Sequence, residues 1–597
     1  MTASKSASKS TDNSTKAVDS TLIRRLYVYL RPYKKWLLAA LFLTLIVSFL
    51  GPLRPYLIQR AVDDFIAPGD IPGLVNISLL LLAVLVGESV IMVGVTYITR
   101  WIGQGALYSL RTAVFEKIQS LHVQFFDTNP IGKLITRTTN DIEALSDLLS
   151  SGVVNIIGDL LKIFFIVGFM FYMSWELSIV ALSTLPLLAY ATFWFKAKVR
   201  VSFLNVRDWI ARLNSFVQEH INGMSVVQLF GREQKEASRF EKINQGHTTA
   251  HINTIFYFAI FWPAVEVLAS LAMALVIWYG GASVLSSGLT FGVLLAFIQY
   301  VRLFFTPIRD LSDKFNTLQS ALASSERIFD VMDTPNKVTE ADDAITRVPT
   351  GSSIEFRNVN FRYQADGEQI LHDVSFTADS GQTVAVVGAT GAGKSTLINL
   401  LTRFYDIKEG EILFGGVNVK RYSLHSLRSS FALVLQDNAL FSGSVLNNIT
   451  LGNPDISPEQ VKEAARLVEA DRFIERLPGG YNYVLQERGA SLSMGQRQLL
   501  CFVRALVYDP KVLILDEATS NVDSETEELV NSALDKLMKG RTSVVIAHRL
   551  ATIQHADKII VMHKGEVREM GTHQELLKKP DGIYRKLYEL QYKEQAA

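Results

Sequence analysis

The chain has 597 residues, 49% of them hydrophobic and only 20% charged, with a mean hydropathy of +0.20. It is too long for one ordinary domain and poorer in charge than the roughly one quarter usual in soluble proteins, so part of it is expected in a membrane. A net charge of +1 excludes the global basic field that drives nucleic-acid binding, and a single cysteine, Cys501, excludes a disulfide framework, a Cys-rich zinc site and an iron–sulfur cluster.

Residues 1–21 are low-complexity Ser, Thr and Lys and are expected to be disordered. They are not read as a secretory signal, because the first apolar run begins only near Trp36 and outlasts an h-region. Leu22–Lys35 is amphipathic and basic, a pattern for a helix lying against anionic lipid heads. A bilayer core of about 30 Å needs roughly 20 apolar residues at helical rise. Six stretches qualify, near 36–58, 74–98, 152–173, 177–195, 254–278 and 288–308. Ser174, Trp175 and Glu176 alone separate the third and fourth, which predicts a tight hairpin. The first two are joined by a loop carrying Asp63, Asp64 and Asp70, the last two by an uncharged Gly/Ser loop.

The remaining connections, 99–151 and 196–253, are long, helical in period and rich in Lys and Arg. That asymmetry places them, and both chain termini, in the cytoplasm, and it weighs against a channel with small loops. Ionisable residues within the spans are Arg54, Glu88, Asp159, Lys162, Glu266 and Arg302. Asp159 and Lys162, three apart, read as a local neutralising pair. Glu88, Glu266 and Arg302 have no obvious partner nearby in the sequence, and some of them are expected to line a cavity that favours cationic or zwitterionic amphiphiles. The aromatic runs around Phe256–Trp262 and Phe193–Phe195 read as packing or lipid contacts.

Beyond Pro307 the chain turns polar. A helix is expected over 309–335, a charged linker over 336–351, and a domain over 352–597, so that 22–335 forms the membrane domain. Short β-branched runs at 383–388, 511–516, 542–547 and 558–562 alternate with helical segments, the pattern of a parallel α/β sheet buried on both faces. Cys501 falls in an apolar helix and reads as core packing.

Three motifs in this domain handle phosphate. Gly388-Ala389-Thr390-Gly391-Ala392-Gly393-Lys394-Ser395-Thr396 follows one strand and opens a helix. Its glycines let backbone N–H groups turn inward around phosphate oxygens, Lys394 neutralises the terminal phosphates, and Ser395 offers a hydroxyl to Mg²⁺. The run Leu513–Glu517 carries Asp516 to a strand's carboxyl end as a second Mg²⁺ ligand, with Glu517 beside it to polarise water for attack on the γ-phosphate. Leu492-Ser493-Met494-Gly495-Gln496 opens a further helix, with Ser493 placed like an N-cap and Gly495 allowing close backbone approach.

In this order and spacing the motifs closely resemble those of ATP-binding cassette (ABC) proteins, except that Met494 stands where glycine is usual. From about residue 22 to 592 the chain looks like a half-size ABC exporter of the multidrug and lipid-flippase type. The fold so implied is an all-α polytopic membrane domain joined to an α/β P-loop nucleotide-binding domain. The resemblance implies that Tyr363 stacks on adenine and that Gln436 touches Mg²⁺ and water. It further implies that Asp523 communicates across a dimer, that His548 contacts the γ-phosphate, and that Phe125–Lys133 and Gly223–Glu233 are coupling segments. Ser493, Gly495 and Gln496 of one subunit would face the P-loop of another, so that ATP and Mg²⁺ join two half-transporters. The implied cycle is ATP-driven export of amphipathic small molecules, drugs or lipids, across an inner (plasma) membrane by alternating access. An ATP-gated channel or regulatory ATPase on the same scaffold, or a flippase or peptide exporter, is the alternative. Ser520-Asn521-Val522-Asp523 and the Leu492–Gln496 signature resemble the consensus subunit of bacterial heterodimeric exporters, which implies a partner subunit with one impaired site rather than a second copy.

Overall fold

The computed structural model describes residues 20–286, 288–347, 351–364, 366–435, 438–516, 524–546 and 553–596. The chain forms two compact units: one runs up to Gln119 and from Gly132 to Thr334, the other comprises Ser120–Ile131 and the chain from Pro335.

The first unit is helical. Its elements are α1 (Ser20–Leu30), α2 (Lys34–Arg60), α3 (Ile71–Ser120), α5 (Ile131–Thr138), α6 (Asn140–Glu143), α7 (Val153–Met173), α8 (Trp175–Leu182), α9 (Leu185–Asn222), α10 (Met224–Leu229), α11 (Glu233–Leu285) and α12 (Phe291–Met332); α4 (Val123–Thr128) belongs to the second unit. Five stretches, Arg24–Ile66, Ile71–Ser120, Ile131–Met173, Trp175–Asn222 and Glu233–Leu285, are long and apolar enough to cross a membrane, and Phe291–Pro307 is a shorter apolar helix. α3 leaves Leu79, Leu82, Val86, Val90 and Val93 exposed, as expected of a helix apolar all round whose surroundings are lipid. With 50 residues it is about 75 Å long, more than twice a bilayer core, so helix continues far past the apolar run.

Breaks in this unit have local causes. Ser174 accepts a hydrogen bond from Leu177 N and starts α8 where α7 ends. Pro52 and Pro55 remove two donors from the ladder of α2, which frees the carbonyls of Ser48 and Gly51, and Tyr300 Oη donates to the Pro52 carbonyl at 2.7 Å. Asp63, just beyond α2, takes Thr290 Oγ1 at 2.5 Å and Gly292 N at 2.8 Å, and so caps the start of α12.

The half-buried charges of the apolar helices pair between helices, which corrects the sequence reading. Asp159 is bound by Lys314 of α12 rather than by Lys162. Glu88 is bound by Arg54 of α2 at 3.2 Å, although sequence spacing offered it no partner. In α6, Asp141 is buried between Arg137 and Arg327, with Ser324 also donating to it. Burial opposes its ionisation, but the hydrogen bonds and charges of both arginines prevail and hold its carboxyl below the usual range.

The second unit is α/β. Its strands are β1 (Ile354–Phe361), β2 (Leu371–Ala378), β3 (Thr383–Gly388), β4 (Glu409–Phe414), β5 (Val417–Asn418), β6 (Phe431–Val434), β7 (Gly443–Ser444), β8 (Val484–Leu485), β9 (Val512–Asp516), β10 (Thr542–Ile546), β11 (Lys558–His563) and β12 (Glu566–Gly571). They form a six-stranded sheet in the order β12-β11-β3-β10-β9-β6, a four-stranded sheet β2-β1-β4-β5 and the pair β7-β8. The four apolar runs of the sequence are β3, β9, β10 and β11, mutually parallel where they pair. Strand alternation divides each between two cores. Ala385, Val387, Leu513, Leu515, Val545, Ile559 and Val561 enter one, and Val384, Val386, Val512, Ile514, Val544, Ile546, Ile560 and Met562 the other. Cys501 lies in the first core, where burial pushes its thiol pKa up. Residues 336–347 are stitched to this unit: Arg403 donates to Thr339 O, Leu424 N to Glu340, and Ile345 N to Arg421 O.

In the first unit α9 and α11 flank the short α10, and His220 of α9 joins Glu236 of α11 at 2.9 Å, while its other ring nitrogen lies 2.8 Å from Phe216 O. Both neighbours are acceptors, so the ring satisfies both only as the imidazolium. Glu236, then Phe216 O, raises its pKa. A raised histidine pKa gives stability that is complete below about pH 6.5 and is lost as pH climbs through the folded value. The melting-temperature advantage of the wild type over His220→Asn should therefore shrink as pH rises above about 6.5; an advantage that holds or grows would contradict this assignment.

Candidate functional site

β3 ends at Gly388, whose φ of 158° lies at the edge of the range side chains avoid; a Cβ there would meet the Met562 carbonyl oxygen at 2.3 Å. Glycine is thus imposed by the neighbouring strand β11, and the chain can fold back over the end of the sheet. Gly393, at φ 98°, precedes α13 (Lys394–Leu401) as its N-cap residue. Between them Ala389, Thr390 and Gly391 are exposed while Ala392 is buried. Lys394 is 7% exposed, and its Nζ donates to Gly388 O at 2.7 Å and Ala389 O at 3.2 Å. The ammonium is thereby held inside the loop, at the opening of α13, where the helix terminus adds partial positive charge. Ser395 is exposed in the first turn of α13, and Thr396 is buried.

Asp516 closes β9. In the sheet Val386, Ile546 and Asp516 stand in one row across β3, β10 and β9, about 10 Å from end to end at the usual strand spacing. The carboxylate therefore reaches the same sheet edge as the loop, the crevice where open α/β sheets bind ligands. Gln436, Glu517, Asp523 and His548 lie outside the described residues.

Tyr363 follows β1 and reaches α13: its hydroxyl lies 3.0 Å from Thr396 Oγ1 and accepts from Asn399 Nδ2 at 3.4 Å. Its ring meets Phe361 and Tyr405 edge-on, with centroids 5.0 and 4.9 Å away. Sequence reading tied Tyr363 to the site only by resemblance; the fold attaches it physically to the helix of the phosphate loop.

Ser493 is the N-cap of the helix Met494–Val507 in a full capping box: its Oγ accepts from Gln496 N at 3.2 Å, and Gln496 Oε1 accepts from Ser493 N at 3.0 Å. Gln496 is occupied by that role. Because Oγ accepts, its own proton stays available for an anion, together with the first amides of the helix. Gly495 is buried, while Ser493 and Met494 are exposed. The Met494 sulfur takes up Arg497 Nη2 at 3.7 Å.

A contact the sequence did not disclose involves α4. Gln124 Nε2 donates to Tyr363 O at 2.7 Å, Gln124 Oε1 accepts from Lys337 Nζ at 3.2 Å, and Tyr405 donates its hydroxyl to Asp127. Burial, then Asp127, raises the Tyr405 pKa. Val123 packs against the same apolar core. The segment Phe125–Lys133 was marked by resemblance, but Gln124, Lys337 and Tyr405 carried no signal, because the partners lie more than two hundred residues apart in the chain.

A backbone loop with glycine imposed by its neighbour, a lysine buried within it and a carboxylate at the same sheet edge form a nucleoside-triphosphate site. Residues 37–308 match the family model for the ABC transporter transmembrane region, and 371–520 the model for the ABC transporter domain. This chain belongs to the ABC transporters. It is 37% identical over 96% of its length, and 94% of the relative's, to an uncharacterized ABC transporter ATP-binding protein, YfiC, of Bacillus subtilis. It is 34% identical to an ATP-dependent lipid A-core flippase of Desulfotalea psychrophila, covering 96% of this chain and 99% of that one. A solved bacterial Atm1-family ABC exporter with ATP bound aligns with a TM-score of 0.77 and 27% identity over 94% of this chain and 98% of its own. The protein is accordingly a half-size ABC exporter, a multi-pass membrane ATPase that couples ATP hydrolysis to transport.

The Tyr405–Asp127 bond is charge-assisted, worth about 1.5–3 kcal/mol where it forms. Tyr405→Phe keeps the ring and deletes the bond. In proteoliposomes the variant should hydrolyse ATP at near wild-type rate yet move several-fold less substrate per ATP; an unchanged ratio would show that transport does not depend on the Tyr405–Asp127 bond.

Proposed function

We propose that this exporter works as a two-subunit machine with composite nucleotide sites, moving drugs or lipids out of the cytoplasm or inner leaflet of the plasma membrane. The observation that carries this reading is the capped helix at Ser493. It offers a hydroxyl proton and two amides to an anion at an exposed position, an arrangement suited to a phosphate held by another subunit. In the assembled site the P-loop, Gly388 to Thr396, surrounds the phosphates of ATP, Lys394 neutralises them, and Tyr363 receives the adenine. Ser493 and Gly495 of the partner close over the same nucleotide, and Asp523 carries the signal across the seam.

Ser395, Gln436 and Asp516 are hydroxyl, amide and carboxylate oxygens, a donor set suited to Mg²⁺, which when bound neutralises charge on the transferred phosphoryl group. Glu517 takes the proton of the attacking water, and His548 steadies the γ-phosphate. Loss of the phosphate removes the charge that joined the two halves. The resulting motion passes through Tyr363 and Tyr405 to α4; the resemblance makes Gly223–Glu233, in the other cytoplasmic hairpin, the second coupling segment. There Met224, Val226, Leu229 and Phe230 present an exposed apolar face, a surface suited to docking.

In this reading the six apolar runs are the spans, and the basic bias of the long connections supports a cytoplasmic position for both termini. The signature wording favours a partner subunit with one impaired site.

Glu517→Gln should still bind ATP but turn it over at least about a hundredfold more slowly, as expected on losing a general base; near wild-type turnover would remove Glu517 from the role. Purification from the native host should bring down a second half-transporter in equal amount. A single band would make the assembly a homodimer.

A further inference from the structure

Gly51, in the body of α2, sits among charges from two other helices. A side chain begun there would lie 3.4 Å from Glu88 Oε1 on α3 and 3.8 Å from Lys162 Cε on α7. Arg54, three residues along α2, holds Glu88 at 3.2 Å. Three ionisable side chains from three helices therefore meet at one notch, and they do not balance. Arg54 and Glu88 neutralise each other, and Asp159, one turn before Lys162, is taken by Lys314. Among the described residues Lys162 makes no hydrogen bond or ion pair. It is half-buried and lies nine residues into α7, about 14 Å along a core of about 30 Å.

An unpaired ammonium at that depth is costly in lipid, so it faces a cavity or a ligand. The adjoining seam is apolar and aromatic. Phe49 of α2 meets Phe165 and Phe169 of α7 at 5.4 and 5.7 Å, and Tyr56 meets Phe169 and Tyr172 at 5.9 and 6.3 Å. One end of the seam attracts negative charge and the rest attracts an apolar body.

We infer that this notch is a cargo subsite for amphipathic anions, in which Lys162 is the counter-ion for a phosphate or carboxylate and the aromatic seam receives the attached apolar body. Glu88 restrains Arg54 and tempers the positive field. The inference deepens the export reading and rests on it, and it reverses the cargo sign expected when Glu88 was read as unpaired. The shared chemistry fits a membrane lipid headgroup and a free single-chain amphiphile alike.

The full-length exporter, with its partner subunit if one co-purifies, would be placed in phosphatidylcholine nanodiscs. Binding of dodecyl phosphate would be compared with that of dodecyltrimethylammonium, and a parallel set of discs would carry phosphatidylglycerol, with retained lipid counted by native mass spectrometry. The wild type should hold the anion about tenfold more tightly than the cation. Lys162→Gln should erase that preference, Lys162→Arg should keep it, and basal ATP hydrolysis should stay within about twofold in both. Preferential retention of phosphatidylglycerol that depends on Lys162 would identify a lipid headgroup as the occupant, and dependence for dodecyl phosphate alone a free amphiphile. If Lys162→Gln does not fold, Glu88→Gln decides: it frees Arg54 and must strengthen anion binding. A wild type that prefers the cation, a Lys162→Gln variant that binds as the wild type does, or a folded Glu88→Gln variant with unchanged affinity overturns the subsite. Intact anion binding without ATP-dependent movement of any amphiphile would instead sink the export reading and leave the subsite standing.

Discussion

The nucleotide half of this protein depends on one close approach: the Met562 carbonyl occupies the space where any side chain at position 388 would begin. That contact forces glycine at the end of β3 and lets the backbone reverse over the sheet. It also places the amides of the loop and the buried Lys394 side by side. Parallel pairing of β3, β10 and β9 then delivers Asp516 to the same edge. Strands whose two faces enter separate cores fix that register, since a slip of one residue would exchange the contents of both. Phosphate chemistry and core packing are thus consequences of a single strand arrangement.

The contacts of α4 with the rest of the nucleotide unit extend that logic. Tyr363 touches the phosphate-loop helix through its hydroxyl, Tyr405 through its ring edge, and Gln124 through its own carbonyl. A change at the Tyr363 ring therefore meets α4 within one side chain's length. The linkages of α4 to the two tyrosines differ in character: one is a neutral amide bond to the Tyr363 backbone, the other joins the Tyr405 hydroxyl to a carboxylate and is the more charge-dependent of the pair.

Local features were the legible ones. The apolar runs that became β3, β9, β10 and β11, the helix opened by Ser493 and the loop at 388–396 are set by residues near one another in the chain. Periodicity and spacing register them directly. Long-range pairings escaped. Asp159 looked paired to Lys162 because they lie one helical turn apart, yet the rotation of α7 turns Asp159 toward Lys314. Glu88 looked solitary because Arg54 lies on another helix. Gln124, Asp127 and Tyr405 are ordinary polar residues until the fold joins them. Sequence spacing measures distance along one helix, whereas the energetics of a charge in lipid depend on neighbours that only tertiary structure supplies.

The boundary of the nucleotide unit carries a practical corollary. Ser120–Ile131 belongs to it although more than two hundred residues of membrane helix intervene before Pro335. An ATPase fragment cut at Pro335 for separate production would lack this strip, leaving the Tyr405 hydroxyl, the Tyr363 carbonyl and the apolar footprint of Val123 uncovered. Such a truncated piece begins with a sticky scar, and grafting the missing dozen residues onto its amino end is the rational repair.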